Sequence, residues 1–150
     1  NGRSKLSLEE MSEQEIEVFN KWRKPKMKVV FICTSNKDRS PALEKYFKKV
    51  YPQHTFSSAG VNQYFCGKKD TKYLTIETLT GADVIVFAEK IHHDIALRDF
   101  GRSWRDDRQH KWVTELNLGE YEKGNINEDY LVRADMKIGW AFKKDNDVCV

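Results

Sequence analysis

The chain has 150 residues, 39% of them hydrophobic and 33% charged, with a formal net charge of +3. That length supports one domain with its own core, in the composition range of soluble globular proteins. The mild positive charge suits an anionic substrate and gives no argument for nucleic acid, and no apolar run approaches a membrane span.

Three cysteines, Cys33, Cys66 and Cys149, form an odd set without metal-like spacing. With no secretory leader expected, they predict a reducing, cytoplasmic compartment. Residues 1–4 read as an expression remnant. Ser7-Leu8-Glu9-Glu10 has the form of a capping box. Leu8, Met11, Val18, Phe19 and Trp22 then lie on one helical stripe that Pro25 ends. Residues 1–26 are expected to be an extension helix, packed on the side of the domain or serving as a docking or dimerisation arm.

Lys28 to Ile32 is a short apolar, β-branched run, the pattern of a buried parallel strand, and it ends in Cys33. Ala42, Leu43, Tyr46, Phe47 and Val50 recur at helical spacing, with Ser40 and Pro41 as the expected N-cap and first-turn residues. A strand, a tight loop and a helix N-terminus thus meet around one cysteine and one arginine, Arg39. Inward-pointing backbone N–H groups of Thr34, Ser35, Asn36, Lys37, Asp38 and Ser40 would suit an anion such as phosphate. The same field favours a thiolate at Cys33. Arg39 would close the cradle with a planar two-pronged donor. The Ser40 hydroxyl can hydrogen-bond the thiolate, and Asn36 can brace the loop.

His54 to Ser58 fits a second strand. Gly60 to Lys69 shows no clear period and reads as a loop near the cradle, where Tyr64 or Phe65 could flank an aromatic substrate and Cys66 is a bystander. Thr71 to Thr80 predicts a helix ended by Gly81, and Asp83 to Ala88 a central strand. Glu89 to Phe100 predicts a helix closed by Gly101. Its neighbours His92 and His93 cannot share a helix face and have no third ligand at metal spacing, so they read as surface or edge histidines. Arg102 to Lys111 is expected to be a solvated loop, Lys111 to Leu118 the fourth strand, and about Asn127 to Lys143 a last helix with Leu131, Ala134, Ile138, Ala141 and Phe142 on its core stripe. Cys149, in the tail, reads as inert. The alternation argues a parallel sheet covered on both faces.

Cys33-x-x-Asn36-x-x-Arg39-Ser40-Pro41 after a hydrophobic strand resembles the low-molecular-weight protein tyrosine phosphatases, particularly their small bacterial and phage-type members. Ser58-Ala59-Gly60 and the run Ala82 to His92 extend the likeness over roughly residues 27 to 142. The resemblance implies a three-layer α/β/α fold, flavodoxin-like, with a four-stranded parallel sheet in order 2-1-3-4 and the loop at the carboxyl end of the first strand. It makes residues 27–150 a phosphatase-like domain. It also implies a phosphomonoesterase acting through a cysteinyl-phosphate, with Cys33 as nucleophile and Arg39 as phosphate clamp. Neither metal nor cofactor is expected, since the loop and Arg39 supply the positive charge. The expected partner is a phosphorylated protein, by family default on tyrosine, or a small phosphomonoester.

Relatives place an acidic Asp, followed by Pro-Tyr, after the fourth strand. This chain has Leu116-Asn117-Leu118-Gly119-Glu120-Tyr121 instead. By position Glu120 matches the acid and Tyr121 the cleft wall, with Asp129 as fallback. Asp38 stands where relatives carry Cys or a large neutral side chain. Turned inward it would oppose thiolate and phosphate; turned outward it would pair with Lys37 or cap the helix. These departures leave open an alternative, a catalytically impaired phosphate- or phosphoprotein-binding module of the same fold.

Overall fold

Five of the six residues Lys28–Cys33 are buried, and only a strand with sheet neighbours on both edges satisfies such a backbone. A computed structural model describes residues 24–105, 111–119 and 126–143. In it β1 (Lys28–Cys33) lies between β2 (Thr55–Gly60) and β3 (Val84–Phe87), with β4 (Trp112–Glu115) beyond β3. All pairings are parallel, in the order β2-β1-β3-β4. The expected sheet is the observed one.

The period of two along β1 sends Val29 and Phe31 to one face and Val30 and Ile32 to the other. On the first face, α1 (Arg39–Val50) and α5 (Glu128–Ile138) contribute Leu43, Phe47, Tyr130, Ala134 and Ile138. Phe31 and Phe47 sit there with ring centroids 5.1 Å apart. On the second face, α3 (Ile76–Gly81) and α4 (Lys90–Phe100) bring Leu79 and Ala96. Asp83, just before β3, accepts from Lys24 Nζ at 2.8 Å and Lys28 N at 2.9 Å, which ties the incoming chain to the sheet. Among the described residues no helix is long and apolar enough to cross a membrane.

Local structure departs from the sequence reading in several places. The expected loop over Gly60 to Lys69 contains α2 (Gln63–Lys69), started by Asn62, whose Oδ1 accepts from Phe65 N at 2.9 Å. Only Cys66 of this helix is buried, so it has no apolar period to betray it. The helix expected from Thr71 begins only at Ile76. Ahead of it Lys72 O accepts from Gly60 N, and Leu74 N donates to Gly60 O, pairing Tyr73 with the end of β2. The charged stretch after Gly101 includes a 3-10 turn, Ser103–Arg105, that buries Trp104. The last helix stops at Ile138 and is followed by a 3-10 turn, Gly139–Ala141. Residues 1–23, the bulk of the expected extension helix, and Cys149 lie outside the described residues.

Candidate active site

β1 delivers Cys33 to the carboxyl edge of the sheet, where the chain leaves toward α1 and β2 on one side while β3 flanks the other. Open α/β sheets bind ligands at such a switch point. The loop 34–38 follows, and α1 starts at Arg39, with Asp38 at the N-cap. This corrects the expected cap: Ser40 and Pro41 are the second and third helical residues. Asp38 makes no side-chain capping bond either, so that expectation also fails.

Ser40 turns inward instead. Its Oγ lies 3.0 Å from Cys33 Sγ and donates to Asn36 Oδ1 at 2.8 Å. Asn36 holds φ at 54°, a left-handed turn that asparagine tolerates better than most residues. The Ser40 hydroxyl has one proton. While it is given to Asn36, the Cys33 thiol must donate to Ser40; a thiolate would instead draw that proton to sulfur.

The loop's carbonyls are fixed from outside. Cys33 O accepts from Val61 N and Thr34 O from Asn62 N, both at 2.9 Å, and Ser35 O accepts from the Thr71 hydroxyl. None of the backbone N–H groups of residues 34–38 donates to a backbone carbonyl among the described residues. Such a row of unspent donors beside a helix N-terminus is an anion cradle. Gly60 makes the close approach of β2 possible. A Cβ there would lie 2.7 Å from Thr34 O, 2.8 Å from Asn36 N and 2.6 Å from Cys66 Sγ. Cys66 is buried, and burial chiefly pushes its thiol up from the ordinary range.

Arg39 is buried and its Nη1 pairs with Glu89 Oε2, whose side chain is half-exposed. Glu89 caps α4, and its backbone N–H donates to His92 Nδ1 at 3.1 Å. His92 Nε2 reaches back to Thr34 Oγ1 at 3.0 Å. Burial, then the Arg39 charge, lower the His92 imidazole to about 4, against a smaller opposing effect of Glu89. His93 Nδ1 meets Glu115 Oε2 at 2.8 Å, and its ring stacks on Phe87 at 4.6 Å. His92 is therefore buried and His93 half-buried, not surface or edge residues, because the first turn of α4 abuts the loop and the end of β3. Sequence reading also missed Glu89 and the clamps at Asn62 and Thr71. The spacing of Glu89 and His92, three residues apart at a helix start, was the available signal.

Past β4, Asn117 (φ 48°) accepts from Lys90 N at 2.8 Å and donates to Glu115 Oε1 at 3.2 Å. Lys137 Nζ holds Leu116 O at 2.6 Å and Arg133 holds Leu118 O at 2.9 Å. Glu120 and Tyr121, the expected acid and cleft wall, lie outside the described residues. Asp129 is exposed in the first turn of α5, 4.0 Å from Arg133. Tyr64 is 68% exposed on α2, with Lys68 Nζ 5.7 Å from its ring centroid, while Lys37 is exposed on the loop. Among the described residues no group of three or more His, Cys, Asp or Glu is placed to hold a metal ion.

No protein-family model matches the chain. The low molecular weight protein-tyrosine-phosphatase PtpB of Staphylococcus aureus is 26% identical over 139 residues, covering 82% of this chain and all of PtpB. A mutant of YwlE from Bacillus subtilis superposes with a TM-score of 0.51 at 25% identity, over 73% of this chain and 89% of its own. The tyrosine phosphatase Wzb from Escherichia coli K30, in complex with phosphate, gives a TM-score of 0.54 over 76% of this chain and 95% of its own; at 16% identity it speaks for the fold alone.

Proposed function

We propose that this chain, a member of the low-molecular-weight protein tyrosine phosphatase family, hydrolyses phosphomonoesters through a cysteinyl-phosphate on Cys33, without a metal ion. The observation that carries the reading is the 3.0 Å contact of Cys33 Sγ with Ser40 Oγ, inside a loop whose N–H groups donate to no backbone carbonyl among the described residues and whose rim is Arg39.

The thiolate attacks phosphorus as the bond to the departing oxygen breaks, and the loop N–H groups and Arg39 hold the equatorial oxygens. The departing oxygen takes a proton from the general acid, for which we propose Glu120 by sequence position. Water then attacks the phosphorus, giving up a proton to the carboxylate left on the general acid, the sulfur–phosphorus bond breaks, and the Ser40 hydroxyl donates a hydrogen bond to the returning thiolate. Phosphotyrosine in a protein is the substrate we propose, after PtpB, with Tyr64 and Tyr121 as aromatic flanks of the cleft. Residues 27–150 form the catalytic unit in this reading, and 1–26 an extension to it. The impaired-module alternative finds no support among the relatives, which are phosphatases.

The test is p-nitrophenyl phosphate hydrolysis in EDTA. Cys33→Ser and Arg39→Ala should each lower kcat by about a thousandfold or more, and Glu120→Gln by roughly a hundredfold. Turnover that survives Cys33→Ser would refute the nucleophile. Full activity in Glu120→Gln would move the acid elsewhere, with Asp129 next.

A further inference from the structure

The reaction assigns no task to His92, yet it is a buried imidazole, 1% exposed, with a defined partner on each ring nitrogen. The Glu89 backbone N–H can only donate, so Nδ1 must carry a lone pair. A neutral ring then has its proton on Nε2, and Nε2–H donates to Thr34 Oγ1. Thr34 is the residue after Cys33, and its carbonyl is already fixed by Asn62 N. The imidazole therefore supplies the second hold on this residue, from the α4 side, as Asn62 supplies the first from the α2 side.

We propose that His92 is a positioning residue of the anion site, and that its Nε2–H bond to Thr34 sets the first residue of the loop for oxyanion binding. The proposal rests on the phosphate-loop reading above and extends it to a residue that touches neither substrate nor nucleophile. Glu89 is shared by both arrangements. Its carboxylate engages Arg39, while its backbone N–H fixes the tautomer of His92, so the first turn of α4 orients both the loop's start and its arginine.

Because oxyanion binding needs no turnover, tungstate affinity measured calorimetrically separates this inference from the proposed chemistry. Thr34→Val keeps the side-chain shape and removes the acceptor, and His92→Phe keeps a ring and removes both bonds. Each should weaken tungstate by about tenfold, in line with the loss of one buried hydrogen bond. The double variant should be no weaker than the worse single one, since both remove the same link. Thr34→Ser and His92→Gln, which keep the acceptor and the donor, should stay within about threefold of the unaltered chain.

Losses that multiply in the double variant, or unchanged affinity in Thr34→Val, would overturn the proposal. Should His92→Phe fail to fold, the Thr34→Val and Thr34→Ser pair still decides it. The imidazole ¹⁵N spectrum of the unaltered chain gives an independent readout: the Nε2–H tautomer at neutral pH is expected, and the Nδ1–H tautomer would overturn the assignment. No tungstate binding by the unaltered chain would remove the loop reading itself and this inference with it.

Discussion

Ser40 illustrates how much one hydroxyl settles at the residue scale. Its single proton has two near claimants, Asn36 Oδ1 and Cys33 Sγ, and a third at 3.5 Å in Ala59 O, so the bond pattern of the loop depends on the charge of the sulfur. Ser40→Ala should leave the fold intact and cut kcat by about ten- to a hundredfold, read from the p-nitrophenol burst and the phosphate release that follows it. His92 makes a second prediction, on stability. Its imidazole ordinarily titrates at 6.5 but at about 4 in the fold. The unfolded chain thus binds this proton more readily, and the contribution present above pH 6.5 is lost as the pH falls toward 4. Denaturant midpoints should therefore fall less steeply with acid over that window in His92→Gln than in the unaltered chain; parallel slopes would contradict the buried neutral imidazole. Cys33, Arg39, Asn36 and Ser40 were legible in the sequence because the spacing of a loop between strand and helix is itself local. The two histidines were not, because the burial of His92 and the partial burial of His93 come from what α4 meets in space, and the period of their own helix says nothing of that.

Elements succeed or fail in the sequence by the same criterion. β1, β3 and the main stripes of α1 and α5 were readable because burial stamps a period on the residues. α2 escaped because it buries one side chain, and its start is written in one cap, Asn62. Its place beside the loop matters more than its length, since Asn62 and Thr71 flank it and hold Thr34 and Ser35. The approach is so close at the end of β2 that Gly60→Ala would drive a methyl into Thr34 O, Asn36 N and Cys66 Sγ. Two of these are backbone atoms of the loop, so we expect a stability loss of about 1–3 kcal/mol by thermal unfolding and a larger fractional loss of phosphate affinity. A variant with unchanged affinity would mean that the loop tolerates more movement than these distances allow.

For the whole molecule, two apolar clusters on opposite faces of one sheet provide the rigid support, and the loop sits where their edges meet. α5 is tied to α1 across the first face by Asp135, which accepts from Tyr46 OH at 2.7 Å and Tyr51 OH at 2.5 Å. Burial and this carboxylate push the Tyr46 phenol up to about 12. Tyr51→Phe should cost about 1–2 kcal/mol in denaturant unfolding and leave turnover unaltered, because the clasp lies away from the loop; a fall in kcat without a loss of stability would contradict that separation. Layering followed from the alternation of elements, and sheet order from the family resemblance. The assembly of the site from β1, the α2 flanks, Gly60 and the first turn of α4 did not, since those parts are remote in sequence and meet only on the finished sheet. The measurement that tests the central claim most directly is mass spectrometry of the chain acid-quenched during turnover of a phosphomonoester in EDTA. A phosphoryl group on the peptide bearing Cys33, absent in Cys33→Ser, is the predicted result. Sustained turnover with no phosphoryl on Cys33 at any quench time, and equal turnover in Cys33→Ser, would contradict it.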